Sequence, residues 1–260
     1  MLLSQVPERI GTHVVRICNQ LGTAVLFLYR ALVSIVTTAP KLDKLLEQMG
    51  RIGVESFYIV ALTGLFAGMV LCLQLYIAAQ RFAGDQFVSP ALALGIIREL
   101  GPVFTGLMVS GRAGSAIAAE LGTMQISEQI DALKTLQIDP FRYLIAPRIV
   151  ASTFMLPLLG LFCMICGIIG GWIVYVAVLG LNSEVYLEGI KTVVTLKDIT
   201  GGLTKCAVFG LILAWIGCYK GYITTGGAKG VGINTTATVV TSSILILASN
   251  YFLTKLLESL

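Results

Sequence analysis

The sequence contains one histidine, His13, among its 260 residues. That scarcity excludes metal sites built from several imidazoles, and no serine or cysteine nucleophile has a histidine near it in sequence to act as its base. Charge is also sparse. Asp, Glu, Lys and Arg together make up 12% of the chain, against about 25% in ordinary soluble domains. No GxxxxGK[ST] motif occurs, and Gly226, Gly227, Lys229 and Gly230 lack its spacing, so residues 220–232 read as a glycine-rich turn and not as a phosphate cradle. Ser110 and Ser115 sit in no GxSxG elbow. The alternating segments of a membrane β-barrel are missing. The 6 cysteines, Cys18, Cys72, Cys163, Cys166, Cys206 and Cys218, lie in or beside apolar runs, so even the Cys163–Cys166 pair reads as packing.

Apolar residues dominate instead, at 56% of the chain, with a mean hydropathy of +0.88. Continuous apolar runs near the roughly 20 residues needed to cross a bilayer fall at 54–79, 91–119, 149–179, 199–219 and 231–257. The expected fold is an all-α polytopic membrane protein, with an N-terminal region at 1–52 and a transmembrane domain at 53–260. In the first region Val14, Ile17, Leu21, Val25, Leu28, Leu32 and Ile35 recur at helical spacing. Arg16, Asn19, Gln20, Thr23 and Arg30 sit largely off that stripe, which fits a helix lying in the membrane interface. Residues after Pro40 form a second, charged amphipathic piece. Gly64 and Gly68 make a GxxxG that predicts close helix packing, and Gln74 fits either an interhelical hydrogen bond or a cavity lining.

Residues 98–140 concentrate the chemistry. Arg98 and Glu99 lie inside an apolar run, where ionisable groups usually face a cavity or the bundle interior. Being adjacent, they point about 100° apart on a helix and need other partners. Pro102 cannot donate to the Arg98 carbonyl, so a kink is expected there. Gly106, Ser110, Gly114 and Ala118, with a second row at Gly111 and Ser115, predict two close helical neighbours. The segment 120–146 reads as a water-exposed loop, in which Ile126, Ile130 and Leu133 share a helical face while Glu128 and Asp131 lie beside or opposite it. Its acidic content disfavours resting on anionic headgroups and fits docking in a protein groove.

The motifs RELGP, GRAGSAIAAELGTM and SEQIDALKTLQIDPFRYLIAPR, with GMVLCLQ at 68–74, resemble the MlaE (YrbE) permeases. These are membrane subunits of ABC transporters that move phospholipid with MCE-domain proteins in Gram-negative envelopes and chloroplasts. The resemblance implies a homodimer of five spans plus an N-terminal interfacial helix, with a short cytoplasmic coupling helix between the second and third spans. It also implies partner ATPase subunits that bind ATP and Mg, a STAS-domain small subunit and an MCE hexamer, with no cofactor in this chain. By motif match, Arg98, Glu99, Leu100, Leu71 and Gln74 would face the lipid cavity, and Glu120, Glu128, Ile130, Asp131 and Leu133 would serve ATPase coupling.

In the remaining chain, Pro157 is expected to bend or tilt the third span, and Trp172 and Tyr175 fit an interfacial belt. Residues 182–198 read as a polar outer segment. Lys205 reads as a snorkelling side chain, with a substrate phosphate contact as the alternative. Basic residues cluster on one side of the membrane in this scheme, including Arg51, Arg112, Lys134, Arg142, Arg148 and Lys220. Only Arg81, Lys191, Lys197 and Lys255 fall on the other. The positive-inside bias therefore expects a cytoplasmic N-terminus and coupling helix in an inner-membrane protein. An ion-coupled carrier using Glu99 is the competing function. It lacks the internal repeat common in that class, and an intramembrane enzyme lacks a base.

Overall fold

The structure is a computed structural model that describes residues 5–37, 41–82 and 84–259, and all regular structure among them is helical. The side chains of His13, Val14, Arg16, Ile17, Cys18, Gln20 and Arg81 lie outside the described residues. Helix α1 covers Gln5–Thr37, α2 Leu42–Ile52 and α3 Phe57–Phe82. Helix α4 covers Val88–Ile126 and α5 Gln129–Thr135. Then follow α6 (Phe141–Val178), α7 (Ser183–Val193), α8 (Leu196–Tyr222) and α9 (Gly227–Glu258). Five segments are long and apolar enough to cross a membrane: α2 with α3, α4, α6, α8 and α9.

Small residues set how closely these helices approach. A Cβ on Gly64 would come 2.5 Å from the Cys163 carbonyl oxygen, and one on Gly68 would run into that of Gly167. The GxxxG is therefore a seam between α3 and α6 of the same chain. Gly210 of α8 lies equally close to Ser152 of α6, whose hydroxyl donates to the Gly210 carbonyl at 2.9 Å. On α4, Gly106 faces Phe209 and Ile246, and Ser110 shares a 2.5 Å hydrogen bond with Ser242 of α9. The expected second small row does not pack. Gly111 has open space beside it, and Ser115 turns back to the Gly111 carbonyl.

The spans extend beyond their apolar runs, so the loop expected at 120–146 shrinks. Helix α4 continues to Ile126 and α6 begins at Phe141. The break expected at Pro102 appears as a π-helical turn over Ile96–Leu100, with Pro102 opening the α-helical stretch that follows. Tyr175 is a core residue packed against the tilted ring of Tyr186 at 5.1 Å, not part of an aromatic belt, because the segment after α6 folds back as helix α7. The C-terminal half of α1 packs through Ala24, Phe27 and Ala31, and Phe27 meets the rings of Phe141, Tyr219 and Tyr222. Leu21, Val25 and Leu32 of its expected stripe stay exposed.

Candidate functional site

A cavity of about 220 Å³ opens between α4, α8 and the C-terminal part of α9, lined by Arg98, Glu99, Lys197, Asp198, Lys205 and Thr254. The three helices bring these residues together from the end of the bundle opposite α5. Arg98 lies ten positions, roughly 15 Å, from the start of α4, level with the first turn of α8 at Lys197 and Asp198 and the last turns of α9 at Thr254.

The sequence forces its geometry. Pro102 has no N–H for the Arg98 carbonyl, and that carbonyl accepts instead from Lys205 Nζ at 2.8 Å. Lys205 also donates to Glu99 Oε1 and to Thr254 Oγ1, each at 2.8 Å. With 3% exposure it does not snorkel, because its three N–H groups are all engaged inside the bundle. Glu99 receives Asn250 Nδ2 at 2.9 Å and Thr254 Oγ1 at 3.0 Å besides. Asn250 Oδ1 is buried without a hydrogen-bond partner among the described residues. Arg98 turns the other way. Its Nε and Nη2 both reach Asp198 Oδ1 at 2.7 Å, while Asp198 Oδ2 accepts from the backbone and hydroxyl of Thr195 in a capping box. Half the Arg98 side chain, 48%, remains exposed, with Nη1 outside the Asp198 pair. Adjacent residues of opposite charge thus have separate partners, as their angular offset requires.

The opposite end holds a second ionic cluster. Glu120 bridges Arg51 at 3.1 Å and Arg148 at 2.9 Å. Arg148 is 3% exposed, and its Nη1 donates to its own helix at the Leu144 carbonyl. Arg112 binds Glu55 at 2.8 Å, Ser56 at 2.9 Å and the Arg51 carbonyl. Glu120 was expected in an exposed loop; it instead ties α2, α4 and α6 together. Helix α5 starts after Glu128, whose φ of 59° reverses the chain. Ile130 has 0% exposure and belongs to the chain's own core, with Leu133 packed beside it. Ile130 and Leu133 of the face expected to dock a partner are therefore seated on this chain, while Ile126, Glu128, Asp131 and Leu136 are exposed. Hydrogen bonding to Asp131 at 2.8 Å raises the pKa of Lys134 above its usual value.

The family model for permease MlaE matches residues 45–256. The chain belongs to the MlaE permease family. It is 42% identical over 256 residues to a probable ABC transporter permease protein of Rickettsia typhi, covering 98% of this chain and 99% of the relative. It is 35% identical over 249 residues to the intermembrane phospholipid transport system permease protein MlaE of Haemophilus influenzae, covering 95% of each. The protein TRIGALACTOSYLDIACYLGLYCEROL 1, chloroplastic, of Arabidopsis thaliana is 41% identical over 210 residues, which cover 81% of this chain and 60% of the plant protein.

Of the residues that resemble the MlaE lipid site, the structure brings Arg98 and Glu99 to the cavity. Leu71 packs with the second apolar core beside Gly95, Leu100 is half-buried, and Gln74 is exposed on α3. None of these three lines the cavity between α4 and α8. Sequence reading missed Asp198, Asn250 and Thr254 as members of the site, and held Lys205 only as the alternative to snorkelling. The signals were present: Thr195 and Asp198 have capping-box spacing, Asp198 and Lys205 lie two turns apart on one face, and Asn250 and Thr254 are i,i+4 polar residues in an apolar span.

Proposed function

We propose that this MlaE-family chain is the membrane permease subunit of an ABC transporter that moves phospholipid between the inner membrane and an MCE-protein conduit, maintaining the lipid asymmetry of the outer membrane. One observation carries the reading. A ring of five charged side chains, Arg98, Glu99, Lys197, Asp198 and Lys205, lines an opening at the end of the bundle opposite α5. Charges on membrane-spanning helices are costly unless they meet one another or a polar ligand, and a headgroup is such a ligand. The cavity matches a headgroup in size, leaving acyl chains to the surrounding apolar surface.

The chain acts without cofactor. ATP and Mg belong to a separate ATPase subunit that meets the exposed edge of α5, and a STAS-domain small subunit and an MCE hexamer complete the assembly. A homodimer is supported by α9, the span least covered within the chain, which leaves Ile233, Val240, Ile244 and Leu247 exposed. The bias of basic residues supports a cytoplasmic N-terminus and coupling helix in the inner membrane. Glu99 already has a buried ammonium partner in Lys205, which disfavours its use as the proton or sodium site of an ion-coupled carrier.

The test is ATP-driven phospholipid transfer by the complex in proteoliposomes. Glu99→Arg places a cation against Lys205 and is expected to abolish transfer. Transfer at the wild-type rate overturns the proposal, as does wild-type transport that persists without ATP while an ion gradient is held fixed.

A further inference from the structure

We infer that this cavity selects phospholipids whose headgroup carries a net negative charge over zwitterionic ones. The inference rests on the proposed lipid transport and adds the class of headgroup. Three cations, Arg98, Lys197 and Lys205, line the cavity against two carboxylates, Glu99 and Asp198. The carboxylates are answered from inside the bundle. Asp198 is buried and accepts from Arg98 and Thr195, and Glu99 accepts from Lys205, Asn250 and Thr254. Lys205 has its three donors engaged and offers a ligand nothing.

The donors left to meet a ligand are therefore Arg98 Nη1 and the exposed Lys197, while the Glu99 side chain, 38% exposed, already accepts from three donors of the bundle. A zwitterionic headgroup brings a phosphate together with an ammonium, so the surplus charge remains and its ammonium faces a cationic rim. A phosphatidylglycerol headgroup brings the phosphate alone and neutralises the surplus. At an effective dielectric constant between those of the protein surface and bulk water, one uncompensated positive charge within about 8 Å of the ammonium disfavours the zwitterionic lipid about fivefold.

The experiment reconstitutes the complete complex in vesicles of equal phosphatidylglycerol and phosphatidylethanolamine. The lipid retained by the complex is then measured by native mass spectrometry. Wild type should retain about fivefold more phosphatidylglycerol. Lys197→Gln should bring the ratio towards parity, while Lys197→Arg keeps the charge and should preserve the preference, which separates lost charge from lost folding. Equal retention of both lipids by wild type overturns the charge inference and leaves lipid transport standing. Retention of neither lipid sinks the transport reading itself. Displacement of the phosphatidylglycerol by millimolar inorganic phosphate would assign the rim to free anions and overturn the headgroup claim.

Discussion

Removing the Glu120 carboxylate tests whether the charged cluster beside α5 is structural. Arg148 is 3% exposed and pairs with Glu120 at 2.9 Å; its Nε has no hydrogen-bond partner among the described residues. Glu120→Ala leaves that guanidinium buried with the Leu144 carbonyl as its remaining acceptor. Breaking a fully buried pair costs about 3–5 kcal/mol. The Glu120 side chain is 34% exposed, so water reaches the pair and the cost falls to about 2–3 kcal/mol. For a chain of this length that corresponds to a melting-temperature loss of about 5–10 °C. The assay is thermal unfolding of the detergent-solubilised complex, followed by intrinsic fluorescence. The double variant Glu120→Leu, Arg148→Met removes both charges at similar volume and should recover most of the loss. A Glu120→Ala melting temperature within about 1 °C of wild type, or a double variant no better than the single one, refutes the assignment of Glu120 as a structural tie.

Gly68→Leu should prevent assembly, since its side chain would occupy the place of the Gly167 carbonyl on α6; a correctly folded variant by protease protection would show that α3 and α6 separate without penalty. Leu136, 69% exposed at the end of α5, is the better probe of ATPase docking than half-buried Leu133. Leu136→Asp should reduce co-purification of the ATPase at least about tenfold, the loss expected when an apolar anchor worth about 1.4 kcal/mol is removed, and unchanged co-purification would remove α5 from that interface.

The spans were legible because apolar runs near bilayer length report themselves in composition. Their ends were not, because Glu120 and Arg148 look like loop residues until their partners on other helices are known. Arg148 and Glu120 neutralise one another, which lets α4 and α6 extend past the charges. Arg98 and Glu99 were legible as residues in need of partners, but Asp198 and Lys205 are about a hundred positions away, and no local pattern specifies such a pairing. Lys205 misled most. A lysine near the start of a span usually reaches back to the interface, and here an unbonded carbonyl beside Pro102 draws it inward. The docking face of α5 failed for the opposite reason, since periodicity identifies an apolar face without saying whether its own chain or a partner covers it.

The most direct measurement is photo-crosslinking from Leu257, which lines the charged cavity, in the intact complex within native membranes. Replacing Leu257 with a benzophenone amino acid should yield a phospholipid adduct whose amount changes when ATP is supplied, while the same probe at Phe154, exposed on α6, gives lipid adducts indifferent to ATP. An absence of lipid at 257, or equal and ATP-independent labelling at both positions, would contradict the account.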